Sequence, residues 1–380
     1  MTQEPKISSY IARLLQGEEV VWKPLGEVLK RTKGTKITAG QMKAIHKDKA
    51  PIKIFAGGKT VAFVDFEDIP EKDINKKPSI IVKSRGIIEF EYYDKPFSHK
   101  NEMWSYYSEN EKINIKYVYY FLKQQEPYFQ KLGSKMQMPQ IALPDTEKFQ
   151  IPLPPLSVQQ EIVRILDKFT QLEAELEAEL DYRKRQYEYY RNKLLSYEGN
   201  EVEWKTLDQI SENLDSKRQP ITSGLRTSGK IPYYGASGIV DYVEDYIFDG
   251  DFLLISEDGA NLLARNTPIA FSVSGKIWVN NHAHILKFRT YEERRFIEFY
   301  LNKTDLTPYI SGAAQPKLNK KNLNSIKIPI PPLEEQQRIV TILDKFDTLV
   351  NSISEGLPKE IALRRKQYEY YREKLLSFPS

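Results

Sequence analysis

Few stretches of this sequence carry residue types that could do covalent or metal chemistry. Residues 53–60 end in Gly57-Gly58-Lys59-Thr60, like the close of a phosphate-binding loop, but the leading glycine that such a loop needs is Lys53 here. The stretch reads as a turn between strands whose Lys59 can touch a phosphate. Asp145 and Glu147 stand beside Pro144 and Lys148, too close along the chain to surround one metal as a nuclease pair does. They read as a solvated loop. His282 and His284 would point two imidazoles to one side of a strand. Two ligands without a third make a poor zinc site, so the pair reads first as structural or exposed and then as a nucleic-acid contact. No NPPF- or DPPY-like motif and no glycine-rich strand-to-helix turn is present. A stand-alone nuclease or methyltransferase is therefore disfavoured.

What remains is the chemistry of binding. Phosphate contact needs Lys, Arg and exposed amides, and base reading needs Arg, Lys, Asn or Gln in a groove. In the first half of the chain the favoured residues are Lys30, Arg31, Lys33 and Lys36 of one basic loop. Lys59, Lys83, Arg85, Lys135 and Gln137 follow. In the second half they are Lys217, Arg218, Gln219, Arg226 and Lys276, then Asn280, Asn281, His282, Gln315 and Lys317. Roughly half are expected to be plain surface charges. The loops at 133–140 and 312–318 gain weight because they fall at equivalent places in the two halves.

Those halves are defined by a repeat. Residues 151–196 read IPLPPLSVQQEIVRILDKF…RKRQYEYYRNKLLS, and residues 328–377 read IPIPPLEEQQRIVTILDKF…RRKQYEYYREKLLS. Phe169 matches Phe346 and Gln186 matches Gln367, so the second copy is four residues longer in between. That is close to one helical turn and keeps facing side chains in phase. Val20-Val21-Trp22-Lys23 also matches Val202-Glu203-Trp204-Lys205, and Tyr10–Leu15 resembles the end of the first repeat helix.

Apolar residues at Val158, Ile162, Ile165, Phe169, Leu172, Leu176, Leu180 and Tyr187 form one helical stripe. Those at Ile339, Ile342, Phe346, Leu349, Ile353, Leu357 and Ile361 form another. The stripes are expected to pack antiparallel, with a pseudo-twofold relation between the halves. Ser157 and Gln160 suggest a helix cap after stiff Pro152, Pro154 and Pro155. Gly356 and Pro358 predict a break near residue 356. Leu172–Leu180 spells LEAELEAEL, a tandem four-residue unit of strong helix formers.

The expected fold class is α+β: two mixed α/β domains joined by two long antiparallel coiled-coil helices. The segments are an N-terminal helical piece at 1–21, a first domain at 22–150, a spacer helix at 151–197, a second domain at 198–328 and a second spacer helix at 329–380. Strands are expected at 60–66, 79–83, 252–256, 269–272 and 284–288, and helices at 114–126 and 292–302. The 380 residues are 40% hydrophobic and 28% charged, which is globular, and the net charge of +4 permits nucleic-acid binding without demanding it. There is no cysteine, so no disulfide and no thiolate metal site. No apolar stretch suits a membrane span and the start lacks a signal-peptide pattern. The cytoplasm is the expected location.

The chain resembles, along its whole length, the DNA-specificity subunit of type I restriction-modification systems. The likeness rests on the paired PLPPL/PIPPL strips, the two ILDKF segments, LEAELEAEL, SEGLPKEI at 354–361 and the two QYEYYR…KLLS endings. Tyr233-Tyr234-Gly235-Ala236-Ser237-Gly238 and Ile255-Ser256-Glu257-Asp258-Gly259-Ala260-Asn261 are also typical of its recognition domains. The resemblance implies that each domain is a target recognition domain reading one half of a split, asymmetric site on double-stranded DNA. It implies helices that set the gap and dock two methyltransferase subunits. S-adenosylmethionine would sit on those subunits, and ATP and Mg on restriction/translocase subunits. This chain itself would hold no cofactor and perform no catalysis. Two alternatives stay open: the same role in a methylation-only or type IIB-like complex, and a coiled-coil adaptor that binds protein only.

Overall fold

In the computed structural model, which describes residues 9–134, 138–197, 202–312 and 314–378, the repeated Trp-Lys segments are strands. Val21–Pro24 pairs antiparallel with Gln150–Leu153, placing Trp22 opposite Pro152. Glu203–Thr206 pairs with Lys327–Ile330 in the same register, placing Trp204 opposite Pro329. Pro152 and Pro329 thus belong to short ladders as well as leading into helices. A two-stranded ribbon tolerates them because each strand has an outer edge where a missing N–H breaks no pairing. Each ladder staples the start of a globular segment to its end.

Two compact units result, Met1–Leu176 with Ile361–Ser380, and Glu177–Glu360. They differ from the five sequence segments in that each takes part of the long helix Leu156–Leu194. The border falls inside LEAELEAEL.

In the first unit a four-stranded sheet has the order Lys30–Arg31, Trp104–Tyr107, Ser79–Lys83, Glu89–Tyr93. A three-stranded sheet has the order Val61–Val64, Ile52–Phe55, Phe97–His99. The second unit has one six-stranded sheet, ordered Glu212–Asn213, Ala283–Lys287, Phe248–Ser256, Ala270–Val279, Ser228–Gly235, Gly238–Val243. The strand expected at 269–272 runs on to Val279.

The expected helices are Ile115–Gln124, capped by the Asn114 side chain, and Tyr291–Lys303, capped by Thr290. Each fastens its sheet to a scaffold helix through the aspartate of an ILDKF segment. Lys116 Nζ lies 2.8 Å from Asp167, and Arg295 lies 2.8 Å from Asp344.

This docking explains where the sequence stripe departs from the structure. Leu166 and Leu343, one residue off the stripe, are fully buried with Ile162 and Ile339. They face the recognition sheets' helices, whereas Phe169 and Phe346 face the other repeat copy. Phe169 packs on Tyr368 and stacks on Tyr371, with centroids at 6.4 and 5.3 Å. Phe346 stacks on Tyr187 and Tyr190 at 6.2 and 5.5 Å. Each unit therefore pairs the ILDKF of one copy with the QYEYY of the other. In the first unit Glu173 also meets Arg365 at 2.5 Å, so the two segments run antiparallel.

Ser157 does not cap the long helix, which already begins at Leu156. The Val158 and Gln159 amides go to the Pro155 carbonyl, because the proline strip presents that oxygen in line with the first turn. Buried Gln159 turns its amide back onto the Pro154 carbonyl at 2.8 Å, and Gln336 does the same to Pro331 at 2.9 Å.

The break near 356 is present, separating Leu333–Asn351 from Gly356–Leu376. Gly356 has φ +72° and lies so close to the Thr348 and Leu349 carbonyls that a Cβ would stand 2.4 and 2.7 Å from their oxygens. Ile353 falls in the break and is exposed rather than part of a stripe.

Candidate nucleic-acid interface

The two units build the same cluster of loops with different side chains. In the first, Gly86 N–H donates to the Pro139 carbonyl, Ile141 N–H to the Ser84 carbonyl, and Arg85 bridges to Gln140. In the second, Gly259 N–H donates to Pro316, Leu318 N–H to Glu257, and Asp258 bridges to Lys317. Lys100 N–H donates to Phe55, and Asn280 N–H to Tyr234. Thr35 N–H donates to His99, and Gln219 N–H to Val279. Four paired hydrogen bonds and one paired bridge thus hold five loops together in each unit. They are the loop after the first short strand, a hairpin turn, the loop after the central strand, the loop before the next strand, and the late loop at 138–140 or 314–317.

Most sequence candidates land on these loops. Lys30 and Arg31 are exposed on the short edge strand rather than on a loop, and Lys33 and Lys36 are exposed on the first loop, which follows it. Lys59 is exposed on the Gly57–Thr60 turn, which is a hairpin turn as expected, and Arg85 is exposed after the central strand. In the second unit Lys217, Gln219, Asn281, His282, Gln315 and Lys317 are exposed on the corresponding loops. Lys135 and Gln137 lie outside the described residues.

The other candidates are engaged elsewhere. Lys83 sits within a strand, its side chain 13% exposed, between Glu89 and Glu91 at 3.1 and 2.9 Å. Burial pushes its ammonium down, but the bonds it donates to Glu91 and Glu89 hold it above the usual lysine range. Arg226 lies over the Tyr233 ring and binds Asp241 at 3.0 Å. Lys276 is exposed within a strand, over Tyr246. Asn280 is buried, its side-chain oxygen accepting from the His282 amide at 2.8 Å, and Arg218 is nearly buried against Glu257 at 2.7 Å.

His282 and His284 do not share a face. His282 precedes the strand and pairs with Asp258 at 2.8 Å, while His284 is fully buried against Asp215. A strand only alternates faces within itself, and His282 is not in it. Among the described residues, Asp215, Glu257 and His284 bring potential ligand atoms within 4.8 Å of one another. Arg218 already occupies that space, so the group is a salt-bridged core rather than a cation site.

Sequence reasoning missed Lys72 and Asn101. Both line a cleft with Arg31, Lys33 and Glu102. Lys72 belongs to a short charged turn with no periodicity to flag it. Asn101 is signalled only by analogy with Asn281.

Gly34 explains how the basic loop is anchored. A Cβ there would stand 2.4 Å from the His99 carbonyl oxygen and 2.5 Å from its ring, so only glycine lets the loop lie on this histidine. Buried His99 donates from Nδ1 to the Lys100 carbonyl at 3.0 Å and accepts at Nε2 from Thr32 at 2.9 Å. Burial pushes its pKa down. Below about pH 6.5 the unfolded chain takes a proton that the folded chain resists, so stability is lost as pH falls through that window. The first unit is expected to melt at lower temperature at about pH 5 than at about pH 7.5, and His99→Gln should flatten that dependence. Thermal unfolding followed at both pH values checks it.

Exposed cations and amides on loops carried by a rigid sheet can bind a polyanion and present donors to its grooves. The chain matches the family described as "Type I restriction modification DNA specificity domain" twice, over residues 18–182 and 200–363. It is 35% identical over 404 aligned positions to the EcoR124I/EcoR124II specificity subunit of Escherichia coli, covering 98% of this chain and 97% of that one. It is 46% identical over 184 positions, 47% of each chain, to a putative type I restriction enzyme specificity subunit of Haemophilus influenzae. Its fold matches the crystal structure of a type I restriction-modification S subunit from M. genitalium, with TM-score 0.64 over 96% of this chain and 98% of that one, at 19% identity. A doubled family match, a near-full-length relative and a shared fold agree with the doubled loop cluster, and the chain belongs to the type I restriction-modification specificity-subunit family.

Proposed function

We propose that this chain is the non-catalytic, sequence-reading subunit of a type I restriction-modification complex, working in the cytoplasm. Each loop cluster reads one half of a split, asymmetric site on double-stranded DNA. The observation that carries this is the one framework of paired backbone hydrogen bonds, repeated in both units and bearing different side chains on its loops. A shared frame with different readers suits two different half-sites.

The helices dock two methyltransferase subunits, and restriction/translocase subunits complete the assembly. S-adenosylmethionine would bind on the former, ATP and Mg on the latter, and none on this chain. The test is methylome sequencing of a methylation-deficient host expressing this chain with its methyltransferase subunit. A split adenine-methylated motif that disappears without this chain supports the proposal. A copurifying complex with no motif overturns it.

The long helix is continuous through LEAELEAEL. Deleting one four-residue unit shortens it by about 6 Å while nearly preserving phase. The expected outcome is a changed gap between unchanged half-sites, read by the same sequencing. Altered half-sites with an unchanged gap would count against a ruler role.

A further inference from the structure

Under the loop cluster of the second unit lies a buried set of charges. His284 is fully buried; Asp215 and Glu257 are buried beside it, and Arg218 is nearly so. His284 Nδ1 lies 2.6 Å from Asp215 Oδ2, and its Nε2 lies 2.6 Å from the Leu318 carbonyl oxygen. The other Asp215 oxygen accepts the Ile285 amide at 3.0 Å. Glu257 takes Arg218 at 2.7 Å on one oxygen and Lys317 at 3.2 Å on the other.

An ionised carboxylate and a peptide carbonyl only accept hydrogen bonds. A neutral imidazole carries one N–H and would set a lone pair against one of these oxygens. The geometry therefore calls for both ring nitrogens to donate. Burial pushes Asp215 up, but the His284 hydrogen bond and charge bring it below its ordinary value, consistent with a carboxylate facing a cation.

The Leu318 peptide is thus gripped from both ends. Its N–H donates to the Glu257 carbonyl at 2.7 Å and its C=O accepts from His284. Leu318 immediately follows Lys317, and Gln315 is two residues further back. At the matching position of the first unit stands Trp104, which pairs with the central strand as His284 does. Its indole donates to the Thr146 hydroxyl at 3.1 Å, with no charge involved.

We infer that His284 is a positioning residue for DNA recognition by the second unit: by donating from both ring nitrogens it fixes the loop that carries Gln315 and Lys317. The inference rests on the reading that this loop cluster contacts DNA. It makes the two half-site readers unequal: His284 grips the late loop of the second unit, whereas Trp104 reaches Thr146 on the helix Leu143–Glu147. Asp215, Glu257, Arg218 and Lys317 face the ring or its partners, and the exposed Asp258–His282 pair lies on the adjoining loops.

Two measurements test it. The chain has four histidines, so nitrogen-15 labelling of histidine in the full chain gives a readable spectrum. One ring with two slowly exchanging N–H protons is expected, because His99 and His46 each use one ring nitrogen as an acceptor and His282 is exposed. Absence of any doubly protonated, protected ring overturns the inference, and this holds whether or not variants fold.

The second measurement is DNA binding by the assembled methyltransferase complex carrying His284→Gln, against the cognate site and sites altered in either half. Loss of a charge-assisted bond should loosen discrimination in one half on the order of tenfold, leaving the other half unchanged. Equal loosening in both halves, or none, overturns the positioning role. If the unsubstituted complex shows no half-site preference, the DNA-reading proposal itself fails instead.

Discussion

Replacing Arg295 with alanine is expected to destabilise the second unit by about 3–5 kcal/mol. Its side chain is only 12% exposed and holds Glu298 at 2.6 Å, Asp344 at 2.8 Å and Asp347 at 3.2 Å. Removing it strands a buried carboxylate. Burial already holds the Glu298 pKa above its ordinary value despite the guanidinium. Without Arg295 that rise grows, so the folded state keeps a proton that the unfolded state releases. The stability this proton confers is present at low pH and lost as pH rises through the folded value. The destabilisation should therefore be smaller at about pH 5 than at about pH 7.5.

The equivalent Lys116→Ala in the first unit should cost about 1 kcal/mol or less, since Lys116 and Asp167 are 31% and 38% exposed and screened by water. Hydrogen exchange resolved by unit, with urea unfolding, separates the two. Two units need not unfold as one transition. Equal losses for the two variants would contradict the view that Arg295 alone is a buried anchor.

The largest effect expected on binding comes from the exposed basic edge strand and the loop that follows it. Alanine at Arg31, Lys33 and Lys36 together should weaken DNA binding by the assembled complex on the order of a hundredfold at ~0.15 M salt. The logarithm of affinity against the logarithm of salt should also become shallower, by about 0.9 for each phosphate that is no longer neutralised. If all three touch phosphate, discrimination in both halves survives. If Arg31 reads a base edge, one position in one half relaxes by about 1–3 kcal/mol.

Lys83→Ala is the contrasting control. Its ammonium is committed to Glu89 and Glu91, so it should lower stability and leave the salt slope unchanged. Titrations at several salt concentrations decide between these outcomes. An unchanged slope for the triple variant would remove this loop from the interface.

The scaffold was legible in the order of residues alone. A repeat of ILDKF and QYEYY at matched spacing offers rings that can stack by pairing the copies, and Phe169 and Phe346 do so. Gly356 and Pro358 announced the helix break, because positive φ and a missing N–H act locally. Central strands such as Ser79–Lys83 were legible from their apolar runs. The candidate loops were legible in part, since Lys, Arg and Gly between strands mark exposed turns.

Which side chains those loops leave free was set by the folded packing. Lys83, Arg218 and Arg226 look like Lys33 and Lys217 in sequence, yet distant carboxylates of Glu91, Glu257 and Asp241 claim them. Likewise Leu166 is buried because the helix serves two partners, the other repeat copy and the recognition sheet. No single stripe could show that. Pairing of charges remote in sequence depends on which strands become neighbours. That is settled by the packing of the whole sheet, not by any local stretch of chain.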